Sequence, residues 1–295
     1  MLAREMTPPA AAAPEIRKLV AGHSAERRWF HRHAGLVRVT HWVNALCFIF
    51  LLMSGLQIFN AHPALYIGAQ SDFDHPTVSI TARRAEHGIK GETMLFGHVF
   101  DTTGVLGAST MDGQMTPREF PSWSTIPSYQ ELATGRRWHF FFAWLLVLNG
   151  LAYFIFGFAS RHFRRDLLPS LAELRHIVAD IIDHLRLRFP RGEAGKRYNV
   201  LQRLAYLTVV FVLFPLVVLT GLTMSPGMDT ALPQLLAVFG GRQTARLIHF
   251  VAASGLVAFV IVHLVMVLVS GVWNNIRSMI TGWYDLGEPR KNDAH

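Results

Sequence analysis

Four apolar runs, roughly 37–59, 139–158, 201–224 and 246–271, constrain this chain more than anything else in it. A bilayer's hydrocarbon core is about 30 Å thick, which an α-helix crosses in about 20 residues. Nothing inside that layer hydrates a bare peptide group, so each run must close its backbone hydrogen bonds within itself. The expected fold is an all-α integral membrane protein, a four-transmembrane-helix bundle with a long external loop and amphipathic interfacial helices. Polar stretches frame the 37–271 bundle: a tail at 1–36, an insertion at 60–138 and a tail at 272–295.

The distribution of charge gives the topology. A net charge of +8 could signal nucleic acid, but about 20 of the 28 Lys and Arg fall before the first run, between the second and third, and after the fourth. That is the bias of cytoplasmic segments, and it places both termini in the cytoplasm and 60–138 outside. The basicity is topological, and no nucleic-acid module accompanies it. The chain is read as a multi-pass protein of a bacterial inner membrane, in contact with membrane lipid. Arg27 and Arg28 resemble a twin-arginine export signal, but a full span with no cleavage site follows, so 1–36 reads as a tail. The single cysteine, Cys47, lies inside the first run, which excludes an iron–sulfur cluster, a thiolate zinc site or a disulfide within the chain.

The fourth run carries His249 and His263, fourteen residues apart. At 3.6 residues per turn both rings leave nearly the same helix face, about 21 Å apart along the axis. Ionisable groups at such depths are expensive and usually functional. The other histidines within or at the ends of spans are His41 in the first and His139 at the start of the second. With alternating helix directions, His139 and His249 share the outer level and His41 and His263 the inner one. The inner match is looser, by roughly 6 Å, an offset that helix tilt can absorb.

Two cross-bundle imidazole pairs are what two b-type haems need, since paired neutral imidazoles fill both axial positions of a haem iron. A bare metal ion is less apt, because no carboxylate or thiolate accompanies either pair. Arg38, Arg136 and Arg246 each precede a ligand candidate by three residues, a spacing that shares its helix face and could bring a guanidinium to a haem propionate. Gly55, Gly150, Gly221 and Gly255 sit mid-run, where they clear room for a porphyrin or for a neighbouring helix.

The remaining features are less specific. Leu171, Leu174, Val178, Ile181 and Leu185 repeat at helical spacing and predict an amphipathic helix along the membrane, with His176 and His184 as its polar residues. Pro215 predicts a kink in the third run. The insertion, rich in aromatic and apolar side chains, reads as a folded cap or docking surface. His62, His75, His87 and His98 in it are spaced too irregularly for a third cofactor.

The stretches RVTHWVNALCFIFLLMSG, GRRWHFFF, KRYNVLQRLAYLTVVFVLFPLVVLTG and ARLIHFVAASGLVAFVIVHLVMVLVSGVWNNIRSMITG resemble the four-helix di-haem cytochrome b subunits of prokaryotic respiratory complexes. That family includes the formate dehydrogenase gamma subunit and the cytochromes b of nickel–iron hydrogenase and thiosulfate reductase. The resemblance implies two haem b, an outer one on His139 and His249 and an inner one on His41 and His263. It also implies a quinone site near the start of the third span, with Asn199 lining it. The 60–138 insertion is far longer than in the formate dehydrogenase subunit.

The expected function is that of an electron-transfer subunit of an oxidoreductase complex, between the quinone pool and a periplasmic redox enzyme or c-type cytochrome. No motif for substrate chemistry is present. Two alternatives are a stand-alone quinone-linked oxidoreductase using the insertion as an active-site cap, and a His-lined transporter or proton pathway without haem.

Overall fold

The computed structural model describes residues 29–286, apart from 87, 176, 179–180 and 183–199. Four helices in it are long and apolar enough to cross a membrane: α1 (Gly35–Phe59), α2 (Leu132–Ala159), α4 (Val200–Thr223) and α7 (Arg242–Thr281). Their outward faces remain apolar. Ile49, Phe141, Leu148, Ile155, Val262 and Leu268 are all more than half exposed, as expected of side chains whose solvent is lipid. The chain is an integral membrane protein built on a helical bundle. Within it α1 packs chiefly on α2, and α7 on α4.

Local sequence explains how the helices are shaped. Asn149 on α2 donates to the Thr40 carbonyl (2.9 Å) and to Asn44 Oδ1 (2.7 Å), a polar clasp between α1 and α2 where hydrophobicity alone gives no driving force. Pro215 has no N–H to offer the carbonyl four residues back, and a π-helical turn, Val209–Leu213, precedes it in α4. In α7 the single non-helical residue is Gly271, at φ 111°, which separates the spanning part from a last segment ending at Thr281. Beyond it β8 (Trp283–Asp285) pairs antiparallel with β1 (Trp29–His31), which closes the two ends of the described chain on one another.

Between α2 and α4, a short helix α3 (Leu171–Leu174) is fixed by a capping box from Ser170 and Glu173. The amphipathic pattern expected at 171–185 is described only in part, and His176 and His184 lie outside the described residues. Glu173 also accepts from Arg203 of α4 at 2.5 Å. That cation, with Ser170, holds the carboxyl down to about 2.

The connector between α1 and α2 is where the structure adds most. It is not helical. Strands β2 (Ala64–Leu65), β3 (Val78–Ala85), β4 (Gly88–Leu95) and β5 (His98–Asp101) form one antiparallel sheet in that order. A hairpin, β6 (Ala108–Met111) and β7 (Gln114–Pro117), packs across it. Phe59, Leu65, Val78 and Ile80 form the buried core joining this sheet to the bundle, with Phe120, Leu247 and Phe250 against it. Two short helices, α5 (Pro226–Ala231) and α6 (Pro233–Val238), cross between α4 and α7 at the same end.

The hairpin is held by a close backbone approach. Gly107 has φ +78°, and a Cβ there would lie 2.8 Å from the Gly91 Cα, closer than such contacts occur. Its N–H donates to the Glu119 carbonyl (3.1 Å), and its carbonyl accepts from the Arg118 N–H (2.9 Å). Gly107→Ala therefore faces both a left-handed backbone and a backbone clash. We expect it to loosen the connector by more than about 1 kcal/mol while the bundle stays folded. Limited proteolysis would show new cleavage confined to 60–131, and intact connector peptides at wild-type rates would contradict this.

Candidate functional site

The bundle brings the four histidines together in two pairs. The rings of His139 and His249 have centres 6.3 Å apart at an interplanar angle of 60°. Those of His41 and His263 are 6.2 Å apart at 56°. Two imidazoles holding one metal atom from opposite sides, through bonds of about 2 Å, keep their ring centres roughly 6 Å apart. Both pairs have that spacing, including the one whose sequence depths matched less well.

Matching dipeptides from neighbouring helices hold the pair at the connector end. Ser54 Oγ of α1 lies 3.1 Å from His139 Nδ1, and Thr220 Oγ1 of α4 lies 3.1 Å from His249 Nδ1. Both hydroxyl protons already go to carbonyls one turn back, Ser54 to Phe50 (2.6 Å) and Thr220 to Leu216 (2.5 Å). Each hydroxyl oxygen is thus an acceptor for its ring N–H. A ring that donates from Nδ1 keeps the Nε2 lone pair for a metal. The residue after each hydroxyl is glycine. A Cβ on Gly55 would stand 3.4 Å from His139 Cε1, and one on Gly221 would stand 3.5 Å from His249 Cε1. Gly55 and Gly221 therefore lie against the ligand candidates, whereas Gly150 meets nothing within 4 Å and Gly255 meets Leu213.

The other pair is held differently. His41 packs edge-on against Trp42 (5.2 Å), and its Nδ1 is buried with no hydrogen-bond partner among the described residues. His263 stacks on Phe259 at 5.9 Å, and Phe259 in turn meets Tyr206 of α4 at 6.1 Å. The beginning of α4 is thus two rings away from this pair. Asn199, one residue before α4, lies outside the described residues.

The three arginines singled out by spacing have separate roles. Arg38 donates to the Ile280 carbonyl and ties the start of α1 to the end of α7. Arg136 is exposed, with its guanidinium 5.6 Å from the Phe140 ring. Arg246 donates to the Ala64 carbonyl at 2.8 Å and to the His62 carbonyl, and lies over Phe59 at 5.6 Å. It clamps the first turn of the connector onto α7, one turn outward of His249. The connector histidines do not converge: His62 packs between Tyr66 and Phe73, His75 pairs with Asp72 at 3.2 Å, His98 is exposed on β5, and His87 lies outside the described residues.

Paired imidazoles inside a four-helix membrane bundle define a membrane cytochrome of the b type. Residues 32–282 match the family model described as prokaryotic cytochrome b561, and the chain belongs to that family. It is similar to a protein of Azospira oryzae described as "Putative protein-methionine-sulfoxide reductase subunit YedZ1", with 29% identity over 235 residues, 80% of this chain and 89% of that one. No solved structure matches the chain. Membership makes it a membrane electron-transfer subunit and implies haem b. The residues present fit that group: each imidazole pair has the spacing for one iron, and two rings carry an N–H partner that orients them.

Sequence reasoning overlooked Ser54 and Thr220. The signal was there, since a hydroxyl residue followed by glycine recurs in the first and third spans, each at the depth of a histidine on the next helix. Ser54→Ala and Thr220→Val should each take one acceptor from a ring N–H in an apolar site, leaving it only the Leu51 or Val217 carbonyl, at a cost of about 1–2 kcal/mol. The expected result is a 10- to 100-fold weaker hold on haem at this level. Ser54→Thr should restore it, and the other pair should be unaffected. Haem content and redox titration of the purified variants would show this, and wild-type values for both would remove the orienting role.

Proposed function

We propose that the chain holds two haem b, one between His139 and His249 at the periplasmic side and one between His41 and His263 at the cytoplasmic side. In this reading both termini are cytoplasmic, the membrane is a bacterial inner membrane, and the connector is periplasmic. The observation that carries it is the pair of ring spacings, 6.3 and 6.2 Å, two levels apart on one face of α7. Haem iron, when bound, supplies one-electron redox chemistry. The protein supplies fixed imidazoles, so that the metal's surroundings change little between oxidation states.

The same reading places quinone exchange beside the inner pair, where α4 begins and Asn199 precedes it. Tyr206 and Phe259 link that helix end to His263. At the opposite end the partner is a periplasmic redox enzyme. The name of the Azospira oryzae relative makes it a reductase subunit, which favours electrons running outward from quinol to a periplasmic reductase. Arg246, one turn outward of His249, is the best placed of the three arginines to face a haem propionate.

Purified full-length protein should contain two haem b per chain. His139→Ala or His249→Ala should each remove one redox component, and His41→Ala or His263→Ala the other. A colourless folded protein would end this reading, and loss of the same component from both pairs would undo the pairing. Asn199→Ala should slow quinol-driven reduction without altering either spectrum. Wild-type reduction kinetics in that variant would take the quinone away from this position.

A further inference from the structure

Arg118 sits just beyond β7 and is only 3% exposed. Burying a guanidinium is costly unless a counter-charge and good hydrogen bonds meet it. Its hydrogen bonds among the described residues go to neutral acceptors: the Phe120 carbonyl (2.8 Å), Thr125 Oγ1 (2.7 Å) and Gln57 Oε1 (3.3 Å). Gln57 and Thr125 are themselves buried, at 2% and 3% exposure. The neighbouring acid is Glu119, which forms no ion pair with Arg118 among the described residues. Its Oε2 is buried without a partner among those residues, and burial pushes its carboxyl up from the ordinary value. Glu119 is a weak counter-charge.

The position of this cation is the second observation. Gln57 lies three residues, about 4.5 Å, outward of Ser54, the residue that holds His139. It packs against Gly135, one turn outward of His139, where a Cβ would meet Gln57 Cγ at 2.9 Å. The segment carrying Arg118 is fastened at that level, because the Ile126 N–H donates to the Met53 carbonyl at 3.2 Å. Phe120 packs on Phe59 (5.6 Å), which packs on Phe250 beside His249 (5.1 Å). The Arg246 guanidinium lies over the same Phe59 ring. Two arginines, a buried one from the connector and a half-buried one from α7, thus lie on the connector side of the connector-end histidine pair. Haem b carries two carboxylates.

We propose that Arg118 is a cofactor-binding residue: its guanidinium, carried by the connector, takes a carboxylate of the haem held between His139 and His249, alongside Arg246. The connector then contributes to the haem site itself and not only to the outer surface. This rests on the reading of that pair as a haem site.

The test is a spectroscopic redox titration of full-length, haem-loaded protein carrying Arg118→Gln or Arg118→Lys. A nearby cation favours the reduced haem, so its loss lowers the midpoint. In Arg118→Gln the component that His139→Ala deletes should shift by a tenfold change in its reduced-to-oxidised ratio, about 59 mV for one electron. Arg118→Lys should shift it less, and the other component should stay in place. A Glu119→Gln control should leave the outer midpoint within a twofold ratio of wild type. An unmoved outer midpoint in Arg118→Gln at full haem occupancy overturns the proposal, as does an equal shift of both components.

A second measurement covers an Arg118→Gln protein that does not accumulate. Haem-free wild type and Arg118→Lys are reloaded with haem b or with its dimethyl ester, whose carboxylates are uncharged. The affinity lost through Arg118→Lys should shrink with the ester, and an identical loss with both cofactors overturns the proposal. A colourless wild type overturns this inference and the reading beneath it. Two haems with an outer midpoint indifferent to Arg118 overturn this inference alone.

Discussion

An imidazole inside an apolar bundle must have something to bond at each nitrogen, and much of this structure follows from that requirement. A bare ring N–H in hydrocarbon costs several times what the same group costs at a surface. At the connector end the cost is met by hydroxyls that have committed their own protons elsewhere, Ser54 to Phe50 and Thr220 to Leu216. They can then only accept from the rings. The glycines that follow lie against the same rings, where a Cβ would stand in contact with the imidazole edge, 3.4 Å away at Gly55 and 3.5 Å at Gly221. The hydroxyl, the glycine and the histidine on the next helix form one unit, and the bundle contains it twice.

The two histidine levels are not equivalent, and the difference follows their surroundings. The connector-end pair has both Nδ1 atoms partnered and lies beneath a folded β structure. The other has Trp42 and Phe259 against its rings and a buried Nδ1 on His41 without a partner among the described residues. A ring braced by aromatic contacts is confined but keeps more freedom to turn than one braced by a directional bond. In the proposed assignment, exchange of a mobile quinone suits the looser environment, and a haem roofed by protein suits the tighter one.

What could be read from sequence divides along physical lines. Apolar runs and helical periodicity are local, and they were enough for the four helices, the helical class and the depths of His41, His139, His249 and His263. The ring spacings depend on helix packing, yet depth alone paired the histidines as the bundle does. Ser54, Thr220 and Arg118 were not found because their meaning lies on another segment: a serine in a span is unremarkable until a histidine on the next helix faces it. The connector was expected to be a folded cap or docking surface, but its strands were not located. Most are short, and the alternation that marks a half-buried strand is weak where both faces meet other backbone, as at Gly91 and Gly107. Arg246 was singled out by spacing for a cofactor, and spacing could not reveal that it would also clamp the connector.

That clamp changes what kind of part the connector is. Lengthening a loop between two helices costs little entropy, since closure grows only with the logarithm of length. A long insertion can therefore remain a surface appendage. This one does not. Arg246 reaches up from α7 to carbonyls at its first turn, and Arg118 reaches down from just beyond its last strand to Gln57 on α1. Phe59, Phe120 and Phe250 close the gap between these contacts. The ties arise from opposite ends of the insertion and meet over one histidine pair, so displacing the sheet exposes two guanidiniums and the roof of that site together. On the proposed reading, stability of the connector and occupancy of the site beneath it are coupled through these few groups.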